Sequence, residues 1–230
     1  MTDKKSIESM LMESQTLVVN EGNFPVRGTP YKIPLGVFMQ KMISNNELVN
    51  EIASIIIDNL DTEIVAAHDY DGLVVASEIC KRTNKQLLFL QRNTSTGKLS
   101  GLNTTEGKPF QGKKATIITG VLATGTHSAD AIELYEENGG KCKKIIAIFD
   151  YGFNLQPAVF QSPSQFAEVK KLPAEVHSIV TLRSTVIDSG FSGTEPLEKW
   201  ISAQGANTFR KTRTISIRPK ETKPVGEPAS

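Results

Sequence analysis

The sequence is poor in cysteine, in net charge and in long apolar stretches. Two cysteines, Cys80 and Cys142, are too few for a disulfide scaffold, so we expect free thiols in a reducing compartment. The 26 basic residues nearly balance the 25 acidic ones, so no strong field attracts nucleic acid. No stretch approaches the about 18 apolar residues of a membrane span, and the N-terminus lacks the apolar core of a secretory signal. We therefore expect a cytoplasmic protein that binds neither nucleic acid nor membrane.

The sequence does contain a regular alternation of short apolar segments and segments of helical periodicity. The apolar segments, predicted as strands, are residues 63–67, 86–90, 115–119, 145–149 and 176–182. The periodic segments, predicted as helices, are about residues 46–60, from the turn at 68–72 to 82, 128–138 and 194–204. Continuous apolar strands between helices are typical of a parallel sheet that is covered on both faces. We therefore predict a three-layer α/β fold with a mainly parallel sheet of about five strands.

Segments of different composition border this predicted core. Residues 4–17 have helical spacing, and glycines and prolines punctuate residues 18–38, which predicts a hairpin-like N-terminal arm. Residues 92–113 are polar with few apolar anchors, so we expect a mobile loop. Residues 211–230 hold three prolines and few apolar groups, which predicts a disordered tail. We therefore predict one domain over residues 1–210.

The loop after the third predicted strand has the composition of an anion site. Thr124-Gly125-Thr126 comes directly before a predicted helix, where free backbone amides and the helix dipole favour phosphate. Ligands of parallel sheets bind outside the carboxyl ends of the strands, where this loop lies. The phosphate-binding candidates are Ala123, Thr124, Gly125, Thr126, His127 and Ser128. The alternative is a plain strand-to-helix turn with a threonine cap, whereas the P-loop and dinucleotide motifs are absent.

Other polar residues give weaker signals. His68, His127 and His177 are too far apart to form a local metal motif, so we predict no metal site built from protein ligands alone. Asp69 and Asp71 could bind a metal together, but carboxylates in such a turn are more often turn formers. Ser128 has no evident base in the sequence, so a serine hydrolase is not indicated.

The loop at residues 116–127 resembles the phosphoribosyl-pyrophosphate loop of type I phosphoribosyltransferases, and four more segments resemble orotate phosphoribosyltransferases. Residues 22–31 are similar to the family's arm, residues 67–73 to its pyrophosphate loop, residues 92–113 to its mobile catalytic loop and residues 175–182 to its last strand. The resemblance covers about residues 5–205 and implies a type I phosphoribosyltransferase-like fold with an N-terminal arm. It also implies a homodimer, a ligand such as phosphoribosyl pyrophosphate or a nucleoside monophosphate, and Mg²⁺ if the protein is an active enzyme.

The resemblance carries over residue by residue. It implies catalytic candidates in Arg92 and Lys98, and base-side candidates in Arg27, Tyr31 and Tyr151. The residues that correspond to the pyrophosphate loop are His68, Asp69, Tyr70, Asp71 and Gly72.

The chain departs from the family at charged positions. Thr119 and Gly120 stand where the family has two acidic residues that hold the ribose hydroxyls and the metal-bound substrate. Lys98 is displaced from the family's loop lysine, and Tyr151 replaces an arginine that contacts orotate. The carboxylates at positions 69 and 71 add negative charge where a pyrophosphate would bind.

Three functions remain open on this evidence. The first is a protein that binds a phosphate or nucleotide ligand and has weak or no transferase activity. The second is an active phosphoribosyltransferase of pyrimidine nucleotide biosynthesis, acting on orotate or another base with altered catalytic residues. The third is a non-catalytic subunit or regulator. The missing acid pair favours the first and third, and the retained Thr124-Gly125-Thr126 favours the first and second.

Overall fold

The computed structural model describes residues 6–26, 29, 31–91, 110–153, 172, 174–187, 193–204 and 213–214. Its helices are α1 (Ile7–Glu13), α2 (Met39–Ile43), α3 (Asn46–Ile57), α4 (Tyr70–Thr83), α5 (Thr126–Glu137), α6 (Leu182–Ile187) and α7 (Glu195–Ser202). Its strands are β1 (Leu17–Pro25), β2 (Lys32–Val37), β3 (Ile64–Ala67), β4 (Gln86–Phe89), β5 (Lys114–Leu122), β6 (Lys141–Asp150), β7 (Glu175–Thr181) and β8 (Arg213–Thr214).

The main sheet has the strand order β4-β3-β5-β6-β7-β8, and each neighbouring pair is parallel. The prediction of a mainly parallel sheet is therefore confirmed. Strands β5 and β6 extend beyond the predicted apolar segments, from the Lys114–Lys141 pair to the Leu122–Asp150 pair. Backbone hydrogen bonds between neighbouring strands do not depend on side-chain polarity, so pairing continues past the apolar residues.

The two faces of this sheet are buried in different cores. On one face, apolar residues of β3, β5 and β6 such as Ile146 pack with α1 to α4, α7 and the arm. On the other face, alternate strand residues such as Ile145 pack with α5 and Phe110. Because side chains of a strand point alternately to opposite faces, the continuous apolar segments fill both cores. The predicted three-layer α/β architecture is confirmed.

The N-terminal arm is an antiparallel hairpin of β1 and β2. Its register shifts between Val19 and Phe24, so the hairpin is irregular where the sequence carries Gly22. The arm packs against α7 through the rings of Tyr31 and Trp200, whose centroids are 6.1 Å apart. The arm that the sequence predicts at residues 18–38 is therefore a hairpin followed directly by the short helix α2, which the sequence did not predict.

Two predicted boundaries need correction. Residues 110–113 lie in the segment predicted to be a mobile loop, but Phe110 is 3% exposed and donates its amide to the Asn138 carbonyl at 3.1 Å. Arg213 and Thr214 lie in the predicted disordered tail, but they pair with β7 at the edge of the sheet, whose backbone groups give them partners. Residues 92–109 and 215–230, where the rest of both predictions falls, lie outside the described residues.

None of the helices in the described part of the chain combines the length and the apolarity that a bilayer-crossing segment needs.

Candidate functional site

The carboxyl ends of β3, β5 and β6 open into a cavity of about 990 Å³. His68, Asp69 and Asp71 line it from the β3–α4 loop, and residues 121–128 line it from the β5–α5 loop. Tyr151 lines it beyond the end of β6, and Pro25, Val26 and Val37 of the arm close one side. The structure thus brings together two segments that the sequence singled out separately, and it does so because β3 and β5 are parallel neighbours.

The N-terminus of α5 is the open anion-binding end of this cavity. Gly125 is its N-cap residue and has no side chain to cap the helix, while the neutral Thr124 hydroxyl accepts a hydrogen bond from the Thr126 amide at 3.3 Å. The first amides of a helix have no partner within the helix, and the dipole adds positive potential. The first turn of α5 contains no acidic residue, so nothing in it opposes an incoming anion. These groups can bind a phosphate.

Gly125 is required by this turn. Its φ of +78° lies in the left-handed region, which strains residues with a Cβ atom. A Cβ there would also lie 3.1 Å from the side chain of Leu172. The glycine therefore allows the chain to turn sharply into α5 and places no side chain over the first turn of the helix.

The N-terminus of α4 is closed, because the carboxylate of Asp69 caps it. Asp69 Oδ1 accepts a hydrogen bond from the Gly72 amide at 2.6 Å. The Gly120 amide lies 3.2 Å from Oδ1 and 3.3 Å from Oδ2, and the buried Thr119 hydroxyl donates to Oδ2. One carboxylate therefore caps α4 and ties the β3–α4 loop to the end of β5. Asp69 was predicted to be a turn former, but its partners on β5 are 50 and 51 positions away and no local pattern indicates them.

Asp71 occupies the space over Gly120. A Cβ atom on Gly120 would lie 2.5 Å from Asp71 Cβ and 3.1 Å from Asp71 Oδ2. Burial, and then the nearby Asp69 carboxylate, raise the pKa of Asp71. A side chain at position 120, such as the acid that the resembling family has there, would collide with Asp71.

His68 and Ser128 connect the two loops of the cavity. His68 Nε2 lies 2.9 Å from Ser128 Oγ, so the structure places beside Ser128 a base that was not evident in the sequence. The two residues are 60 positions apart, so no local pattern could indicate their contact. His68 Nδ1 lies 3.8 Å from Asp69 Oδ2, too far for a hydrogen bond, and Ser128 is 1% exposed. The orienting bond of a catalytic triad is therefore missing, and the contact ties one loop to the other.

The environment of His68 disfavours its protonation. Burial lowers the pKa of His68, and His127 lowers it further, while Asp69 and Asp130 act in the opposite direction. A neutral imidazole at this position can accept a proton when an anion enters the cavity.

The remaining pyrophosphate-loop candidates do not line the cavity. Tyr70 is 73% exposed, and its ring packs against that of Phe89 at 5.9 Å. Gly72 is buried beneath the loop, where a Cβ atom would collide with the carbonyl of Ile118. Its role is to let α4 pass close to β5.

The base-side candidates differ in position. Tyr151 is 8% exposed and lines the cavity, and burial raises its pKa to about 12. Its ring stacks on that of Phe153 at 5.6 Å, and the Tyr31 ring also packs against Phe153, with centroids 4.6 Å apart. Tyr31 therefore supports the aromatic cluster that holds Tyr151. Arg27 lies outside the described residues, as do Arg92 and Lys98.

The Mg²⁺ that the resemblance implies would find few protein ligands among the described residues of this site. In the described part of the chain, no group of three or more His, Cys, Asp or Glu side chains is arranged to hold a metal ion. Thr119 and Gly120 offer no carboxylate, and the Asp69 carboxylate already accepts hydrogen bonds from three groups. These residues do not form a ready Mg²⁺ site.

Curated proteins similar in sequence are orotate phosphoribosyltransferases. The chain is 26% identical over 103 residues to those of three Staphylococcus aureus strains. The matched part is 44% of this chain and 49% of theirs, so the chain spans about half the length of the curated relatives it matches. No protein-family model matches the sequence.

Solved phosphoribosyltransferase structures share the fold. UMP synthase of Leishmania donovani superposes with a TM-score of 0.64 at 17% identity, covering 86% of this chain and 42% of that one. Orotate phosphoribosyltransferase of Francisella tularensis gives 0.62 at 12% identity, with 90% and 98% covered. Adenine phosphoribosyltransferase of Trypanosoma brucei, solved with AMP, pyrophosphate and ribose-5-phosphate, gives 0.53 at 14% identity, with 80% and 83% covered. This chain therefore has the type I phosphoribosyltransferase fold, and its sequence is similar to orotate phosphoribosyltransferases.

Proposed function

We propose that this chain binds a phosphorylated ribose compound, such as phosphoribosyl pyrophosphate or a nucleoside monophosphate, and has weak or no phosphoribosyl transfer activity. The observation that carries the proposal is the N-terminus of α5, which has no acidic residue in its first turn and faces the cavity at the carboxyl ends of the strands. Backbone amides bind phosphate whatever the side chains are, so this part of the site tolerates the sequence departures seen elsewhere.

The charges that a transfer reaction needs are missing from the described part of the site. The end of β5 presents Thr119 and Gly120, and the cavity wall beyond β6 presents the neutral Tyr151. Electrostatic stabilisation of the transition state and metal-ion catalysis contribute on the order of several kcal/mol in enzymes. Without these groups, the ligand binds and its transfer is slow or absent.

A second candidate is an active transferase that uses a relocated carboxylate. It is favoured by Asp71, whose half-buried carboxylate lies over Gly120 in the same cavity. In that case the substrate is orotate or another base, and the pathway is pyrimidine nucleotide synthesis.

The test is calorimetric titration with phosphoribosyl pyrophosphate, orotate and orotidine monophosphate, with and without Mg²⁺, beside an assay of orotidine monophosphate formation. We expect a phosphate-bearing ligand to bind and little product to form. Thr126→Asp places a carboxylate in the first turn of α5 and should weaken binding by about tenfold or more through repulsion. Asn50→Asp, on an exposed face of α3, adds the same charge far from the cavity and should leave binding unchanged.

Efficient product formation by the wild type, abolished by Thr126→Asp, would establish the second candidate instead. Equal ligand affinity in the wild type and Thr126→Asp would contradict phosphate binding at α5.

From the resemblance alone, we also propose a cytoplasmic homodimer. Light scattering at micromolar concentration tests its assembly state, and a mass of one chain would contradict the dimer.

A further inference from the structure

Two helix N-termini face the same cavity, and they differ in one respect. Both α4 and α5 follow parallel neighbouring strands, so both direct their first amides toward the ligand space. The end of α5 has only the neutral Thr124 hydroxyl, on the Thr126 amide, whereas the end of α4 holds the Asp69 carboxylate as its cap and Asp71 in its first turn.

The Asp69 carboxylate makes the contacts that a bound anion would make. It accepts hydrogen bonds from the Gly72 amide, from the Gly120 amide and from the Thr119 hydroxyl. These three donors come from the first turn of α4 and from β5, and they converge on one negatively charged group. An anionic group of a ligand would have to displace this carboxylate to reach them.

The second carboxylate adds repulsion at the same place. Asp71 lines the cavity, and its carboxylate is packed over Gly120. The other titratable groups that line the cavity are His68 of the β3–α4 loop, Tyr151 beyond β6, and His127 and Asp130 of α5. The α4 end therefore carries two carboxylates, whereas the first turn of α5 carries none and Asp130 lies one turn further along that helix.

We infer that the ligand of this site carries a single phosphate group, and that Asp69, supported by Asp71, fills the position a second phosphate group would take. The inference rests on the proposed function, since it concerns which phosphorylated compound the site binds. It selects sugar and nucleoside monophosphates over phosphoribosyl pyrophosphate. Free hydroxyls of such a ligand can donate hydrogen bonds to Asp71, which as a carboxylate only accepts them.

The test compares ribose 5-phosphate with inorganic pyrophosphate by calorimetric titration of the full chain, with and without Mg²⁺. We expect the wild type to bind pyrophosphate at least about tenfold more weakly than ribose 5-phosphate, because like charges repel at the α4 end. Asp69→Asn keeps an oxygen to cap α4 and removes the charge. It should raise pyrophosphate affinity by about tenfold and change ribose 5-phosphate affinity by less than about threefold.

Two further variants control this comparison. Asp71→Asn leaves the cap of α4 intact and should raise pyrophosphate affinity by less than Asp69→Asn does. If Asp69→Asn fails to fold, the gain in Asp71→Asn tests the inference in its place. Glu47→Gln removes an exposed carboxylate from the first turn of α3, which does not face the cavity, and should change neither affinity.

Each outcome is decisive. Wild-type affinity for pyrophosphate equal to that for ribose 5-phosphate, in either Mg²⁺ condition, would overturn the inference and leave the proposed function standing. Folded Asp69→Asn and Asp71→Asn proteins with no gain in pyrophosphate affinity would also overturn it. If ribose 5-phosphate and nucleotides do not bind the wild type, the proposed function is overturned instead. In that case, a higher pyrophosphate affinity in Asp69→Asn would still support the inference that the Asp69 carboxylate fills an anion position.

Discussion

At the scale of single residues, the site depends on polar contacts between the two loops. His68 Nε2 lies 2.9 Å from Ser128 Oγ, and the Asp69 carboxylate accepts hydrogen bonds from the Gly120 amide and the Thr119 hydroxyl. Buried polar groups are costly unless they are hydrogen-bonded, so these pairs hold the loops in one arrangement. The sequence identified His68, Asp69 and Ser128 as candidates but assigned none of them a partner.

The lowered pKa of His68 predicts a pH dependence of stability. The folded-state pKa lies below the ordinary value of 6.5, so the unfolded chain binds the proton at a higher pH than the folded chain does. The free energy of unfolding should therefore decrease as the pH falls through about 6.5 toward the folded-state pKa. His68→Gln keeps an amide that can bond to Ser128 and cannot titrate, so this decrease should be smaller. Urea unfolding from about pH 8 to pH 5 measures both profiles, and identical profiles would contradict the assignment.

At the scale of elements, close approach between α4 and β5 shapes the cavity. Gly72 on α4 and Gly120 on β5 have no side chains where the two elements pack against each other. The Asp71 side chain fills the space that a side chain at position 120 would occupy. The strands and most helices follow from local periodicity, but this fit does not. It depends on which residues of α4 and β5 face each other, and that is set by the parallel register of β3 and β5.

Gly120→Ala tests this fit. Its Cβ atom would lie 2.5 Å from Asp71 Cβ, so we expect a loss of about 1–3 kcal/mol in the free energy of unfolding. The loss should be smaller in a chain that already carries Asp71→Gly, because the colliding atoms are gone, although a glycine inside a helix itself costs up to about 1 kcal/mol. Urea unfolding of the four proteins of this double-mutant cycle gives the coupling, and additive effects would show that the two positions do not collide.

At the scale of the whole molecule, a sheet buried on both faces makes neighbouring residues of one strand belong to different cores. Ile145 and Ile146 are both fully buried, one with α5 and Phe110, the other with α3, α4 and the arm. This arrangement distinguishes a three-layer fold from a sheet with one wet face, in which every second residue is solvated.

We therefore expect Ile145→Ala and Ile146→Ala each to cost about 2–5 kcal/mol in the free energy of unfolding. Lys143→Ala, at an exposed position of the same strand, should change it by less than about 0.5 kcal/mol. A small effect at either isoleucine would mean that one face of the sheet is not a packed core.

Although they did not indicate α2 or β8, patterns in the sequence were sufficient to predict the strands β3 to β7, the helices α3, α4, α5 and α7, the burial of both sheet faces and the two loops at residues 68–72 and 123–128. These features follow from apolar periodicity and turn composition, which act over a few residues. The tertiary structure alone decided that the Asp69 carboxylate reaches β5, that Asp71 fills the space over Gly120 and that His68 meets Ser128. Those contacts join residues about 50 to 60 positions apart, and strand order and register, which no local pattern specifies, place them together.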